Sequence, residues 1–206
     1  MPTRSLRSEI GCHGFSHMII GDPGCSRECF VSEVEASQAA AKPWGVTLRS
    51  FVFPRNRAGH LDVLAEKGFR AFRCMPAPSW RRLLPAALSN ATHTVLPVPP
   101  LTSRPNPTHG LWDLPATTFY LHRAGRARLV PVGLRVHRAR RSIRRAAKTR
   151  AIAHLWFHPF NLASDPDALL GGLKEVFAEV ACQRERGALV NPTMGELAQS
   201  LGHPST

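Results

Sequence analysis

The sequence predicts an α/β fold built on a mainly parallel sheet, and three observations carry that expectation. Short β-branched or aromatic runs alternate with amphipathic helical patterns along the chain. Turn and cap residues fall at the junctions, as at Gly21-Asp-Pro-Gly24, Gly68 and Gly187. The length of 206 residues fits one domain, taken as 1–206, with 43% hydrophobic and 20% charged residues.

The elements follow in order. Glu9-Ile-Gly-Cys12 reads as the end of a short strand. Ser26 caps a helix that runs to about Ala41, with Phe30 and Val34 on its apolar side, and Pro43 stops it. Val46–Phe53 is the strongest strand pattern in the chain, followed by a helix over about Ala58–Lys67 and a strand over Phe69–Cys74. Residues 75–115 are rich in proline and read as an irregular excursion with one short helix near 79–89. Thr117–His122 reads as a strand, Arg138–Arg150 as a basic helix and Ala151–Phe157 as a buried strand. Asp165 caps a helix through Arg186 that carries Leu169, Leu173, Val176 and Val180 at helical spacing. Ala188–Val190 reads as a strand, and Thr193 caps a last helix at about Met194–Leu201.

Composition narrows the function. The formal net charge is +13, but Arg123–Arg150 alone holds 11 Lys or Arg and no Asp or Glu. The rest of the chain is nearly neutral, so the basic character is one local segment, 123–150. That segment has no aromatic interleaving, which argues against base stacking. Five irregularly spaced cysteines fit a reducing compartment better than a disulfide scaffold. No run approaches the roughly 18 apolar residues of a membrane span, and no apolar segment follows the basic start. The expectation is a cytoplasmic protein.

α/β folds place chemistry at the C-terminal ends of strands. His13 and His17 stand four residues apart just beyond a strand end, and neutral imidazoles in pairs suit a divalent metal. The same pair also reads as two polar loop residues. His158 ends a strand before Pro159 and is placed for proton transfer, whereas His154 reads as a core histidine. Cys12, Cys25 and Cys29 lie near the histidine pair but read as small buried hydrophobes. Asp22 is the nearest carboxylate and belongs to a turn.

Together these stretches resemble the polysaccharide deacetylases, the NodB-homology carbohydrate esterases. Glu9-Ile-Gly-Cys-His13-Gly-Phe-Ser-His17 is similar to the family's second motif, and Ser50–Arg57 with Asp62–Phe69 to the third and the elements after it. Leu155-Trp-Phe-His158 resembles the late Leu-x-x-His motif, and Gly187 through Leu197 the domain's usual finish. The resemblance implies a distorted (β/α) barrel, here N-terminally truncated. It implies metal-dependent removal of an acetyl group from a sugar or polysaccharide precursor. His13 and His17 would hold zinc, and His158 would protonate the leaving group. Arg55, Phe53, Trp112, Trp156 and Asn161 would contact substrate; the aromatic ones read equally as core. Two departures stand against it. The family's T-F-D-D-G motif, source of the base and third ligand, does not occur in these 206 residues, and Arg55 stands in an altered third motif. Three readings therefore compete: a deacetylase-type hydrolase, a catalytically inactive sugar-binding or remnant module of that family, and an anion- or nucleic-acid-binding protein using the Arg-rich segment.

Overall fold

The computed structural model describes residues 8–75 and 102–204. Its elements in chain order are α1 (Arg27–Ala41), β1 (Ser50–Val52), α2 (Leu61–Glu66), β2 (Ala71–Arg73), β3 (Asn106–Thr108), β4 (Leu111–Asp113) and β5 (Thr118–Phe119). Then come α3 (Val132–Thr149), β6 (Leu155–Trp156), α4 (Pro159–Leu162), α5 (Pro166–Glu185) and α6 (Met194–Leu201). The fold is mixed α/β, and no closed barrel forms among the described residues. The described chain packs as two compact units, one of residues 8–74, 105–115 and 192–204, the other of 75, 102–104 and 116–191.

The first unit is built on a four-stranded sheet of order β1-β2-β4-β3. β1 and β2 are parallel, as are β2 and β4, while β3 runs antiparallel to β4. Cys12 extends the sheet beyond β1 through a single parallel bridge to Phe51, with Cys12 N donating to Ser50 O and Val52 N to Cys12 O, both at 2.8 Å. The core is aromatic. Phe30 of α1 is fully buried and meets Phe51 edge-on at 5.5 Å, and Phe53 sits 4.8 Å from Phe51 and 5.9 Å from Phe72. Such offset and edge-to-face pairs suit the aromatic quadrupole. Ser26 caps α1 by accepting from Cys29 N at 3.2 Å. Thr193 caps α6 as expected, and with Glu196 it forms a reciprocal capping box. Glu9 also serves α6: its carboxylate accepts from Gly195 N at 2.7 Å, a favourable place for an anion at a helix N-terminus.

The proline-rich excursion is not irregular to its end. Residues 106–113 form the β3–β4 hairpin, turned at His109 (φ 50°) and Gly110 (φ 73°). Two successive positive φ values are what a two-residue hairpin turn needs, and His-Gly is a weaker signal for it than Asn-Gly. Pro107 is tolerated because β3 is the edge strand. The helix expected near 79–89 lies outside the described residues.

The second unit pairs β5 with β6 in parallel and packs α3 against α5. Its core joins Val136, Ala139 and Ile143 of α3 to Val176 of α5, with Tyr120, Leu169 and Leu173 beside them. Tyr120 donates its hydroxyl to Leu169 O at 2.9 Å, so the buried phenol is satisfied. α3 starts six residues earlier than expected, because Val132 and Val136 continue the apolar face of Ala139 and Ile143 across Gly133. The expected strand at Ala188–Val190 does not form; the segment leaves α5 as a turn and extended chain. Gly172 marks the closest approach of α5 to its neighbours. A Cβ there would lie 2.7 Å from Val132 Cγ1 and 2.9 Å from Val136 Cγ2, and against the Tyr120 hydroxyl. Gly172→Ala is therefore expected to destabilise the unit by about 2 kcal/mol despite alanine's better helix propensity. Denaturant unfolding monitored by helix ellipticity measures it, and a neutral or stabilising result would contradict the packing.

Candidate functional site

The histidine pair is held by its loop. His13 follows the Cys12 bridge directly, and its Nδ1 lies 2.6 Å from Val52 O. A carbonyl only accepts, so Nδ1 carries a proton, and in the neutral ring Nε2 keeps its lone pair. This is the arrangement in which a backbone carbonyl orients a metal-binding imidazole. Gly14 (φ 84°) then turns the chain, and His17 returns in a left-handed conformation (φ 62°). The two rings meet edge-on with centroids 4.9 Å apart. His13 is half-buried and His17 exposed, so the pair is open to solvent on one side.

Glu33 holds this loop, and sequence reasoning missed it. It lies on the buried side of α1 with Phe30, Val34 and Ser37, and is only 8% exposed. Its carboxylate accepts from Phe15 N and Ser16 N at 2.9 Å each, and from Ser16 Oγ at 2.6 Å. Burial works to raise its pKa, but the hydrogen bonds from Ser16 and Phe15 outweigh burial and hold it below the ordinary carboxylate value. A carboxylate on the helix side that carries Phe30 and Val34 was the available signal.

The loop after β1 lies alongside. Gly21 N donates to Arg57 O at 3.0 Å, and Asp22 pairs with Arg57. Asp22 thus serves the contact between loops. Arg55 (φ 52°), Asn56 (φ 54°) and His60 (φ 47°) are all left-handed. Non-glycine residues held there cost energy, and such strain gathers at functional loops. Arg55 is exposed, as a substrate contact requires. Phe53 is 1% exposed and belongs to the core, so it offers no wall to a substrate. Trp112 is half-buried and donates Nε1 to Gly202 O at 2.8 Å, which ties the segment after α6 to β4.

A second polar group sits at the C-terminal ends of β2 and β4, also unforeseen. Cys74 donates Sγ to Asp113 Oδ2 at 2.8 Å and N to Asp113 Oδ1 at 3.3 Å. Burial raises the Asp113 pKa and pushes the Cys74 thiol up to about 12, so that cysteine is not a nucleophile at neutral pH. Burial also lowers Arg73 to about 10, and its Nη2 donates to Asn56 Oδ1 at 3.2 Å. Asp113 does not complete the histidine site. It lies three strand positions from Cys12, about 14 Å at ordinary strand spacing.

His158 belongs to the second unit. Its ring stacks on Phe160 at 4.8 Å and meets Trp156 edge-on at 5.6 Å, and Trp156 packs on Phe119 at 4.3 Å. Asn161 is 8% exposed and accepts from His158 N at 3.2 Å, so it shapes the turn that carries His158. That role leaves its side chain engaged within the protein. His154 places its carbonyl on Thr117 N and Thr118 N at 3.0 and 3.1 Å, a bridge between β5 and the segment before β6.

Among the described residues no group of three His, Cys, Asp or Glu is arranged to hold a metal. His13 and His17 supply two donors, whereas a catalytic zinc site takes three protein ligands. Cys12 and Cys25 are buried and do not join them. No described helix is long and apolar enough to cross a membrane. No protein-family model matches the chain, and no curated protein matches it significantly.

Proposed function

We propose that this chain is a polysaccharide deacetylase-type domain that carries the imidazole half of a metal-dependent site for removing acetyl groups from a sugar. One observation supports the reading above the others: the Val52 carbonyl holds His13 in the tautomer that leaves Nε2 as a ligand, beside the ring of His17. The short E-I-G-C-H-G-F-S-H motif and the strained loops around it agree with this reading. The bound metal would polarise the acetyl carbonyl and acidify water. The donor set present is incomplete for that chemistry, because among the described residues no carboxylate joins the two imidazoles. His158, on its aromatic shelf, is the acid candidate. Arg55 is exposed to orient substrate, and Trp156 offers a partly exposed indole face. A distorted barrel is the architecture this reading carries with it.

The test is calorimetric titration of the chain with zinc. One weakly held equivalent is expected, abolished by His13→Ala or His17→Ala. Zinc binding that survives both substitutions, or none at all, would overturn the proposal. Acetate release from an N-acetylated chito-oligosaccharide is expected to be absent for this chain alone. Release that depended on zinc and on His17 would show that a third ligand is already present. The alternative of a sugar-binding module without turnover draws on the Trp156–His158–Phe160 cluster. It predicts oligosaccharide binding that needs Trp156 and ignores zinc.

A further inference from the structure

We propose that the outward face of α3 is a docking surface for an anionic lipid bilayer. The helix holds six arginines and one lysine and no acidic residue. At 100° per residue, Leu134, His137, Arg141, Arg144, Arg145 and Lys148 fall within one arc of about 100°. All six are exposed, while Val136, Ala139, Ser142, Ile143 and Ala146 on the opposite side are buried. The stripe from Leu134 to Lys148 is about 21 Å long, enough to lie across several headgroups.

Its charge is answered only in part among the described residues. Glu175 and Glu179 of α5 reach only Arg140 and Arg144. Arg141, Arg145 and Lys148 form no ion pair among the described residues. Solvated helices normally gain from opposite charges four residues apart, and like pairs such as Arg141–Arg145 and Arg144–Lys148 cost stability. An external polyanion relieves that repulsion.

The leucines decide between polyanions. Leu134 lies in the same arc and is 40% exposed, and Leu129, just before the helix, is 77% exposed. The turn that bears Leu129 also carries exposed Arg126 and Arg128. It is fastened to α3 by Arg135, whose Nη2 donates to Ala127 O at 2.7 Å and His122 O at 3.0 Å. Cations beside exposed leucines are what a bilayer interface takes up, one through headgroup charge and the other through apolar insertion. A nucleic-acid backbone has no use for the leucines, and the face carries no Phe, Tyr or Trp for bases, with His137 its one ring.

The test is sedimentation of the full chain with vesicles of phosphatidylglycerol and phosphatidylcholine, against phosphatidylcholine alone. Binding is expected only to the anionic vesicles and is expected to fall with salt. The triple variant Arg141→Gln, Arg145→Gln, Lys148→Gln should bind about 100-fold more weakly with unchanged ellipticity, since these side chains are exposed and form no ion pair among the described residues. Leu129→Ser with Leu134→Ser should weaken vesicle binding several-fold at constant charge. Equal binding to both vesicles, no binding to either, or full binding by the triple variant would overturn the proposal. So would tighter binding to duplex DNA that the leucine variants leave unchanged, which would mark a nucleic-acid surface instead. The leucine pair and the salt series keep the test decisive should the triple variant unfold.

Discussion

Glu33→Ala is expected to destabilise the chain by about 3 kcal/mol and to abolish zinc binding at the histidine pair. The carboxylate is buried, and three donors of the His13–His17 loop converge on it. Hydrogen bonds to a charged group contribute roughly 1.5–3 kcal/mol each before the loop's own relaxation is counted. Phe15 and Ser16 are exposed, so water recovers part of that loss, which sets the figure near 3. The effect on zinc is larger in proportion. Without Glu33 the hydrogen bonds that position Phe15 and Ser16 before His17 are lost, and the metal would have to fix the His17 imidazole itself. His13 keeps its Val52 bond, so Glu33→Ala resembles His17→Ala in zinc titration while leaving the His13 tautomer intact. Nitrogen chemical shifts of the two imidazoles separate the cases. Unchanged zinc affinity would show that the loop is ordered by something else. The pH sign follows from the lowered pKa of Glu33. Its contribution is complete above the ordinary carboxylate pKa and is lost as pH falls through the lower folded value.

Glu179→Ala is expected to cost the second unit about 3 kcal/mol. This carboxylate of α5 is 6% exposed and receives Arg144 through Nε at 3.0 Å and Nη2 at 2.7 Å, Arg140 Nε at 3.2 Å and Gln183 Nε2 at 2.8 Å. The fork geometry with Arg144 is the strong form of such a pair. Arg140 and Arg144 are themselves partly exposed, which reduces the value below that of a fully buried pair. Removing the anion also takes the Glu179 carboxylate from Arg140 and Arg144. The loss should therefore shrink in high salt. Above all it should appear in the acid limb of wild-type stability. The Arg144 hydrogen bonds hold Glu179 at about 2, well below its ordinary 4.5. Its contribution is thus present above pH 4.5 and disappears between there and about 2. Urea unfolding of wild type and Glu179→Gln across that range is the measurement. Parallel curves for the two proteins would remove Glu179 from the account.

Local signals in the chain marked most element starts and stops. Ser26, Thr193 and Asp165 cap the helices they were expected to cap, because capping is a contact within three residues and leaves its trace in the sequence. The strand cores at Phe51 and Phe72 were legible for the same reason, through β-branched and aromatic runs bounded by breakers. Strand lengths were not. Val46–Phe53 shrinks to Ser50–Val52, since pairing ends where the neighbouring chain ends. Ala188–Val190 pairs with no strand among the described residues and leaves α5 as a bend and extended chain.

The sequence by itself determined the α/β class, the helix caps, the cationic segment and the short spacing of His13 and His17. All of these are properties of near neighbours. Only the tertiary structure decided which nitrogen of His13 is free, because Val52 lies 39 residues away. It alone placed Glu33 under the histidine loop and Glu179 under the arginines, and it sent Phe53 into the core while leaving Arg55 outside. It also separated the answered from the unanswered charges on α3. Hydrogen bonds and burial between distant segments depend on how strands register and helices pack, and no local pattern of residue types records that geometry.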